Sequence, residues 1–378
     1  MKLKLLSFHE YSDLPPHWQF DGFEFHDTNL IVGVNASGKS RTIKAMELLA
    51  QAVSNRLLIE RCLSPLKWEA EFSDGDEKYI YNLEINQGSI ISESLSKSGI
   101  VLLNRPAGDV AKIRTTSGEM SDFKIADNLV AVVSKQDELQ YPDLLPLFQW
   151  GNSVHFFEFG STLGRDRLVI SGAGQISIEQ IDHDPLAAVP KFNLGQKMFS
   201  DKYPEVVRED MKRLDYPIDD MQIAAPTVVM LGPVGIMGLC VKEHDLDHMT
   251  EQLGMSQGMF RAFSLLIQLN YLCASSKLGC LLVDDIGEGL DYNRSCALID
   301  LLYEKSQQCN FQLVMTTNDR FIMNSVPLED WTLIKREKGR AKIYNYENSK
   351  EKFDDFKFTG FSNFDFFKTD FVGGDGLD

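Results

Sequence analysis

Apolar and polar residues change rhythm several times along the chain, and each rhythm predicts a different element. Residues 28–33, "TNLIVG", form a short apolar run that predicts a buried strand. Downstream, Ile43, Met46, Leu49, Ala50 and Val53 recur at helical spacing and predict one buried helix face. Residues 66–95, "LKWEAEFSDGDEKYIYNLEINQGSIISESL", alternate apolar and polar between turn residues, so antiparallel β is expected. Residues 140–214 mix Pro and Gly with short helical patterns, of which "PEVVREDMKRLDYPIDD" is the clearest, and "APTVVMLGPVGIMGLCVK" returns to strands. In "GMSQGMFRAFSLLIQLNYLCASS", Ser256 is a suitable N-cap, and Phe260, Phe263, Leu266, Ile267 and Tyr271 follow at helical spacing. Four apolar residues in "GCLLVDDIGEGLD" predict a central parallel strand running into Asp284 and Asp285. No heptad run is long enough for a coiled coil.

The first strand, a glycine loop and the first helix frame a chemical motif. Gly33, Val34, Asn35, Ala36, Ser37, Gly38, Lys39 and Ser40 fit the phosphate-loop pattern G-x-x-x-x-G-K-[ST]. Glycines let the backbone curl so that its N–H groups face phosphates, and the helix N-terminus adds positive potential. Lys39 would neutralise the outer phosphates, and Ser40 would place its hydroxyl on Mg²⁺. A second carboxylate for the metal is needed at the end of another buried strand. Asp284 supplies it, with Asp285 positioned to orient or deprotonate an attacking water.

Four pieces in this order carry a resemblance. "GVNASGKS" has Asn35 at the third loop position, "MSQG" is in the signature position, "LLVDDIGEGLD" reads as a Walker B strand followed by a D-loop closed by Asp291, and "FQLVMTTNDRFI" reads as the last core strand with its switch. The chain resembles the ABC ATPase superfamily, in particular its SMC/RecF/OLD-like branch. The resemblance implies an α/β P-loop NTPase: an ABC head with a mixed central sheet, an antiparallel β lobe and a mostly helical insertion. It divides the chain into core at 1–60, β lobe at 61–125, Q-loop region and insertion at 126–215, core again at 216–348, and a tail at 349–378.

It also implies ATP and Mg²⁺ as cofactors, with Arg41 beside the loop. Two heads would sandwich two nucleotides, Ser256 and Gly258 of one reaching the γ-phosphate held by the other, as a homodimer or a higher oligomer. A helix N-terminus on a γ-phosphate distinguishes ATP from ADP. The family's metal-linking Gln is expected at Gln136 in "LVAVVSKQDELQYP", after a strand-like run, with Gln140 next. Two departures predict slow hydrolysis: the usual catalytic Glu is Asp285, and the switch His is Asn318, which donates a hydrogen bond but does not titrate. Glu288 is a substitute base.

Composition narrows the function classes. The 378 residues carry 38 basic and 55 acidic side chains, a net charge of −17, which disfavours a nucleic-acid coat and favours a protein partner. No apolar stretch is long enough to span a membrane. The N-terminus lacks a signal-peptide core, and the six cysteines form no C-x-x-C pair, so a cytoplasmic protein is expected. His244 and His248 read as part of a polar loop. Eight of the 24 Phe fall between positions 353 and 371. The first half of this tail is expected to pack on the head, the last Phe residues to dock on a partner, and the terminal "GGDGLD" to fray.

Roughly 30 residues follow the core, too few for the toprim domain of OLD-type nucleases. The family therefore implies an ATPase that controls a separate effector such as a nuclease, in bacterial anti-phage defence. The alternative is a RecF/SMC-like DNA-binding repair or chromosome-maintenance ATPase.

Overall fold

The computed structural model describes residues 1–12, 14–170, 177–227 and 235–372. Part of the strand region expected at 225–242, and the frayed end expected at 373–378, lie outside the described residues. The chain divides into two compact units, Met1–Val154 with Pro327–Asp378, and His155–Val326.

The first unit opens with strands β1 (Lys2–Glu10), β2 (Trp18–Glu24) and β3 (Thr28–Val32), then helix α1 (Lys39–Val53). A meander follows: β4 (Leu66–Asp74), β5 (Glu77–Asn86), β6 (Ser89–Lys97), β7 (Ile100–Arg105), β8 (Ala111–Arg114) and β9 (Met120–Phe123). Helices α2 (Ala131–Ser134) and α3 (Leu145–Ser153) come next.

The second unit carries β10 (Val154–Glu158), β11 (Val169–Ile170), α4 (Ile178–His183), α5 (Ala188–Phe199) and α6 (Lys202–Arg213). It continues with β12 (Ile218–Ala224), β13 (Ile236–Glu243), β14 (Met249–Glu251) and α7 (Gln257–Ala274). It ends with β15 (Cys280–Asp284), α8 (Tyr292–Gln308), β16 (Gln312–Thr317) and α9 (Arg320–Ser325). The chain then returns to the first unit with β17 (Trp331–Glu337), β18 (Arg340–Asn345), α10 (Tyr346–Lys357) and α11 (Asn363–Lys368).

In the first unit the sheet order is β3-β17-β18-β2-β1-β4-β5-β6-β7-β8-β9. β17 runs parallel to β3, and the meander from β4 to β9 is antiparallel throughout, which makes the sheet mixed. The alternation read in the sequence becomes burial: Trp68, Ala70 and Phe72 on β4 and Tyr79, Tyr81, Leu83 and Ile85 on β5 turn inward. α1 buries Ile43, Met46, Leu49, Ala50 and Val53, and the indole N–H of Trp68 donates to Ala45 O at 3.0 Å.

Two sequence expectations change here. The run before Gln136 is a short helix, not a strand. The buried Glu93 carboxylate on β6 accepts from the N–H groups of Ala131 and Val132 at 2.8 and 3.2 Å. That carboxylate on a helix start overrides the β preference of Val130, Val132 and Val133. The strand expected to close the core, β16, is followed by two more, β17 and β18, so it is not the last.

The Phe-rich tail packs in a different pattern from the one expected, with buried rings at both ends and exposed rings at Phe358 and Phe361. Phe353, Phe356 and Phe366 are buried, and the Phe366 ring meets Trp331 edge-on at 6.4 Å. Exposure falls in the middle of the segment: Phe358 is 89% exposed.

In the second unit β15 lies between β10 and β16, and β15 and β16 pair in parallel from Cys280↔Gln312 to Val283↔Met315. α7 is almost wholly buried, and the polar side chains of its buried part are bonded in the interior. The Lys191 ammonium on α5 donates to Gln268 Oε1 at 2.6 Å. Asn270 donates to Asp210 on α6 at 2.7 Å, and Lys305 on α8 pairs with the same carboxylate at 2.7 Å. Burial lowers the Lys191 pKa to about 7, against the pull of Asp182 and Asp184.

Candidate functional site

The phosphate loop is built by β3 and α1. Gly33 ends the strand under tight packing: a Cβ there would lie 2.5 Å from Ser37 Oγ and 2.6 Å from Ile334 O. Ala36 and Gly38 adopt φ of 63° and 111°, which curls the backbone between them. A Cβ on Gly38 would come within 2.9 Å of the Trp18 ring beneath it. Trp18 is fully buried, and the Arg41 guanidinium lies over it at 4.9 Å while pairing with Glu10 at 2.8 Å.

Three features of this loop fit phosphate. The N-cap of α1 is Gly38, so no cap side chain accepts from the first N–H groups of the helix. Ser37 Oγ is buried and has no hydrogen-bond partner. Lys39 is 6% exposed and extends back over the loop, donating to Gly33 O at 2.8 Å and Val34 O at 3.3 Å. Backbone donors, a buried hydroxyl and a held cation form an anion cradle. Asn35 and Ser40 are exposed at its rim.

The acidic machinery belongs to the second unit. Asp284 ends β15 at 4% exposure, and the Thr316 hydroxyl on β16 donates to its Oδ1 at 2.5 Å. The same hydroxyl accepts from the Asp285 N–H at 2.9 Å, and Asp285 takes a left-handed φ of 53°. One residue onward on the same strand, Thr317 donates to Ile286 O at 3.0 Å. Two adjacent threonines therefore pin the turn that follows β15. Asp285, Glu288 and Asn318 line one cavity of about 250 Å³. Asp319, next to Asn318, caps α9 by accepting from Phe321 N at 2.6 Å.

Ser256 is the N-cap of α7, its hydroxyl accepting from the Met259 N–H at 3.2 Å, as its position in the sequence predicts. It lies at the edge of a cavity of about 320 Å³ whose lining includes Tyr216, Met255 and Arg294. Gly258 is buried against the D-loop, where an added Cβ would sit 2.5 Å from Gly289 O. Asp291 caps α8 by accepting from the Arg294 N–H at 3.1 Å, and it pairs with the Arg294 side chain. The backbone N–H of Arg294, with its guanidinium, lowers the Asp291 pKa below the usual carboxylate value.

The structure thus brings Gly33 to Arg41 together in one loop, and Asp285, Glu288 and Asn318 together in one cavity. Gln136 and Gln140 are exposed in the loop after α2 in the first unit. Sequence reasoning passed over Thr316, Thr317 and Arg261. The signals were present in "MTTND", paired hydroxyls at a strand end, and in "MFRAF", a lone cation on a buried helix. His244 is exposed, its Nδ1 paired with Asp219 at 3.0 Å, which also raises its pKa. Among the described residues no helix is long and apolar enough to cross a membrane.

No protein-family model matches the chain, and no curated protein matches it. Solved structures do. An SMC head bound to the C-winged helix domain of ScpA aligns over 93% of this chain and 100% of its own, at 12% identity and a TM-score of 0.54. The SMC head domain from Thermotoga maritima aligns over 91% and 99%, at 15% identity and a TM-score of 0.46. The Smc head with an extended coiled coil bound to the C-terminal domain of ScpA, from Pyrococcus furiosus, aligns over 94% and 99%, at 11% identity and a TM-score of 0.49. The first likeness, together with the strand–loop–helix cradle, shows the fold: mixed α/β, with the architecture of an SMC head and its P-loop.

Proposed function

We propose that the chain is an ABC-type ATPase head that binds Mg²⁺-ATP, dimerises around it and hydrolyses it slowly. The phosphate loop carries this reading: uncapped helix N–H groups, an unpartnered buried Ser37 hydroxyl and the Lys39 ammonium form a ready anion cradle. Ser40 and Asp284 would hold Mg²⁺, which supplies charge neutralisation of the outer phosphates when bound. Asp285 orients the attacking water, with Glu288 as the reserve base in the same cavity. Asn318 donates a hydrogen bond toward the γ-phosphate. A shorter carboxylate and a switch residue that does not titrate make turnover slow, suited to timing more than to force. In the dimer the α7 N-terminus, tipped by Ser256 and followed by Gly258, engages the nucleotide held by the other copy.

The role proposed for this switch is to hold and release a separate effector, such as a nuclease, in anti-phage defence. A net charge of −17 favours a protein partner over a phosphate backbone. The solved head of similar fold is described as bound to a domain of another protein, which supports a docked partner here. That same likeness keeps a second reading open, an SMC-like ATPase acting on DNA. Calorimetry tests the core of the proposal. Lys39→Ala is expected to abolish measurable ATP binding, and undiminished affinity would remove the basis for everything above.

A further inference from the structure

We infer that Arg261 is a positioning residue for hydrolysis: it ties the signature helix to the two backbone turns that flank Asp285 and Glu288. The inference rests on the ATPase reading above.

Arg261 lies on α7 little more than one turn after Ser256, yet it is 8% exposed. Its guanidinium serves three carbonyls on two separate segments. Nε donates to Ser161 O at 2.9 Å and Nη2 to Gly160 O at 2.6 Å. Nη1 donates to Glu288 O at 2.8 Å. Residues 160 and 161 belong to the turn that leaves β10, the strand beside β15. That turn is anchored next to the carboxylates, because Phe159 N donates to Asp284 O at 2.8 Å.

The packing leaves no slack around the fork. A Cβ on Gly160 would lie 2.6 Å from Glu288 Oε2 and 3.5 Å from Asp285 Cβ. A Cβ on Gly289 would meet Arg261 Nη1 at 2.8 Å. Glu288 Oε1 lies 3.8 Å from Nη2, so carbonyl bonds and not one close ion pair hold the cation. A buried guanidinium satisfied by rigid backbone acceptors transmits displacement: tilting the α7 N-terminus must drag both turns or break charged hydrogen bonds. Engagement of Ser256 by a nucleotide would thereby set where the Asp285 and Glu288 side chains point. Lysine offers one flexible ammonium in place of a planar fork and cannot serve two segments at fixed geometry.

Arg261→Lys in the full chain tests this. The KM for ATP and the affinity for a non-hydrolysable analogue should stay within about twofold, because the phosphate loop is untouched. The kcat should fall at least about tenfold. Amide hydrogen exchange should accelerate at 159–162 and 286–290 together, with the melting temperature little changed. An unaltered kcat, or exchange that rises in only one of the two segments, would overturn the inference. Should the wild-type chain prove to have no ATPase activity, the proposed function fails, and the exchange comparison still decides the mechanical tie. Should Arg261→Lys not fold, Arg261→Gln is read by the same exchange criterion.

Discussion

Thr316 holds both acidic residues at the end of β15 with a single hydroxyl, which donates to Asp284 and accepts from the Asp285 N–H. Thr316→Val keeps the shape and removes both bonds, leaving a buried N–H and a buried carboxylate oxygen short of partners. Steady-state kinetics should show kcat lower by about tenfold, near 1.4 kcal/mol, with ATP affinity within twofold. At the cradle, Gly38→Ala forces a Cβ against Trp18 at a positive φ, and ATP binding measured by calorimetry should be lost while the fold persists. The loop, the carboxylates and the Ser256 cap were legible in the sequence because each is a local pattern with a local reason. Arg261 and Thr316 left a trace there, a lone cation and paired hydroxyls, but not their roles, since their partners are roughly 30 to 100 residues distant in the chain and only the fold brings them together.

Among elements, the buried polar contacts of the second unit make stability depend on pH. Lys191 titrates at about 7 when folded and near 10.5 when unfolded. Between those values the unfolded chain binds the extra proton, so stability rises with pH, by about 2 kcal/mol from pH 7 to pH 9. Denaturant melts at the two pH values should show that rise in the wild type and lose most of it in Lys191→Met. Packing in the tail gives a second check: Phe366→Ala removes the ring that meets Trp331, Phe353 and Phe356, at a cost of about 3–5 kcal/mol by denaturant unfolding. The first strands of the meander were readable from an alternation of period two on β4 and β5, and α7 from its N-cap Ser256 and a long apolar run. β10 was not, because five residues inside a Pro- and Gly-rich region carry too little pattern, and its place beside β15 is a long-range fact. α2 went the other way: Glu93, some 40 residues upstream, caps a run that reads as a strand.

At the scale of the whole molecule, an acidic chain with an SMC-head fold is proposed to work as a pair, nucleotide supplying the attraction that two surfaces of like charge lack. In this proposal hydrolysis would dissolve the pair on a timescale set by Asp285 and Asn318. Slowing that step should lengthen the life of the assembly without strengthening its contacts. The most direct measurement is the mass in solution of Asp285→Asn with saturating Mg²⁺-ATP, by light scattering, beside the same protein without nucleotide and Ser256→Arg with it. A dimer is expected in the first sample and monomers in the other two. A monomer in the first sample, with ATP binding verified by calorimetry, would rule out pairing around the nucleotide.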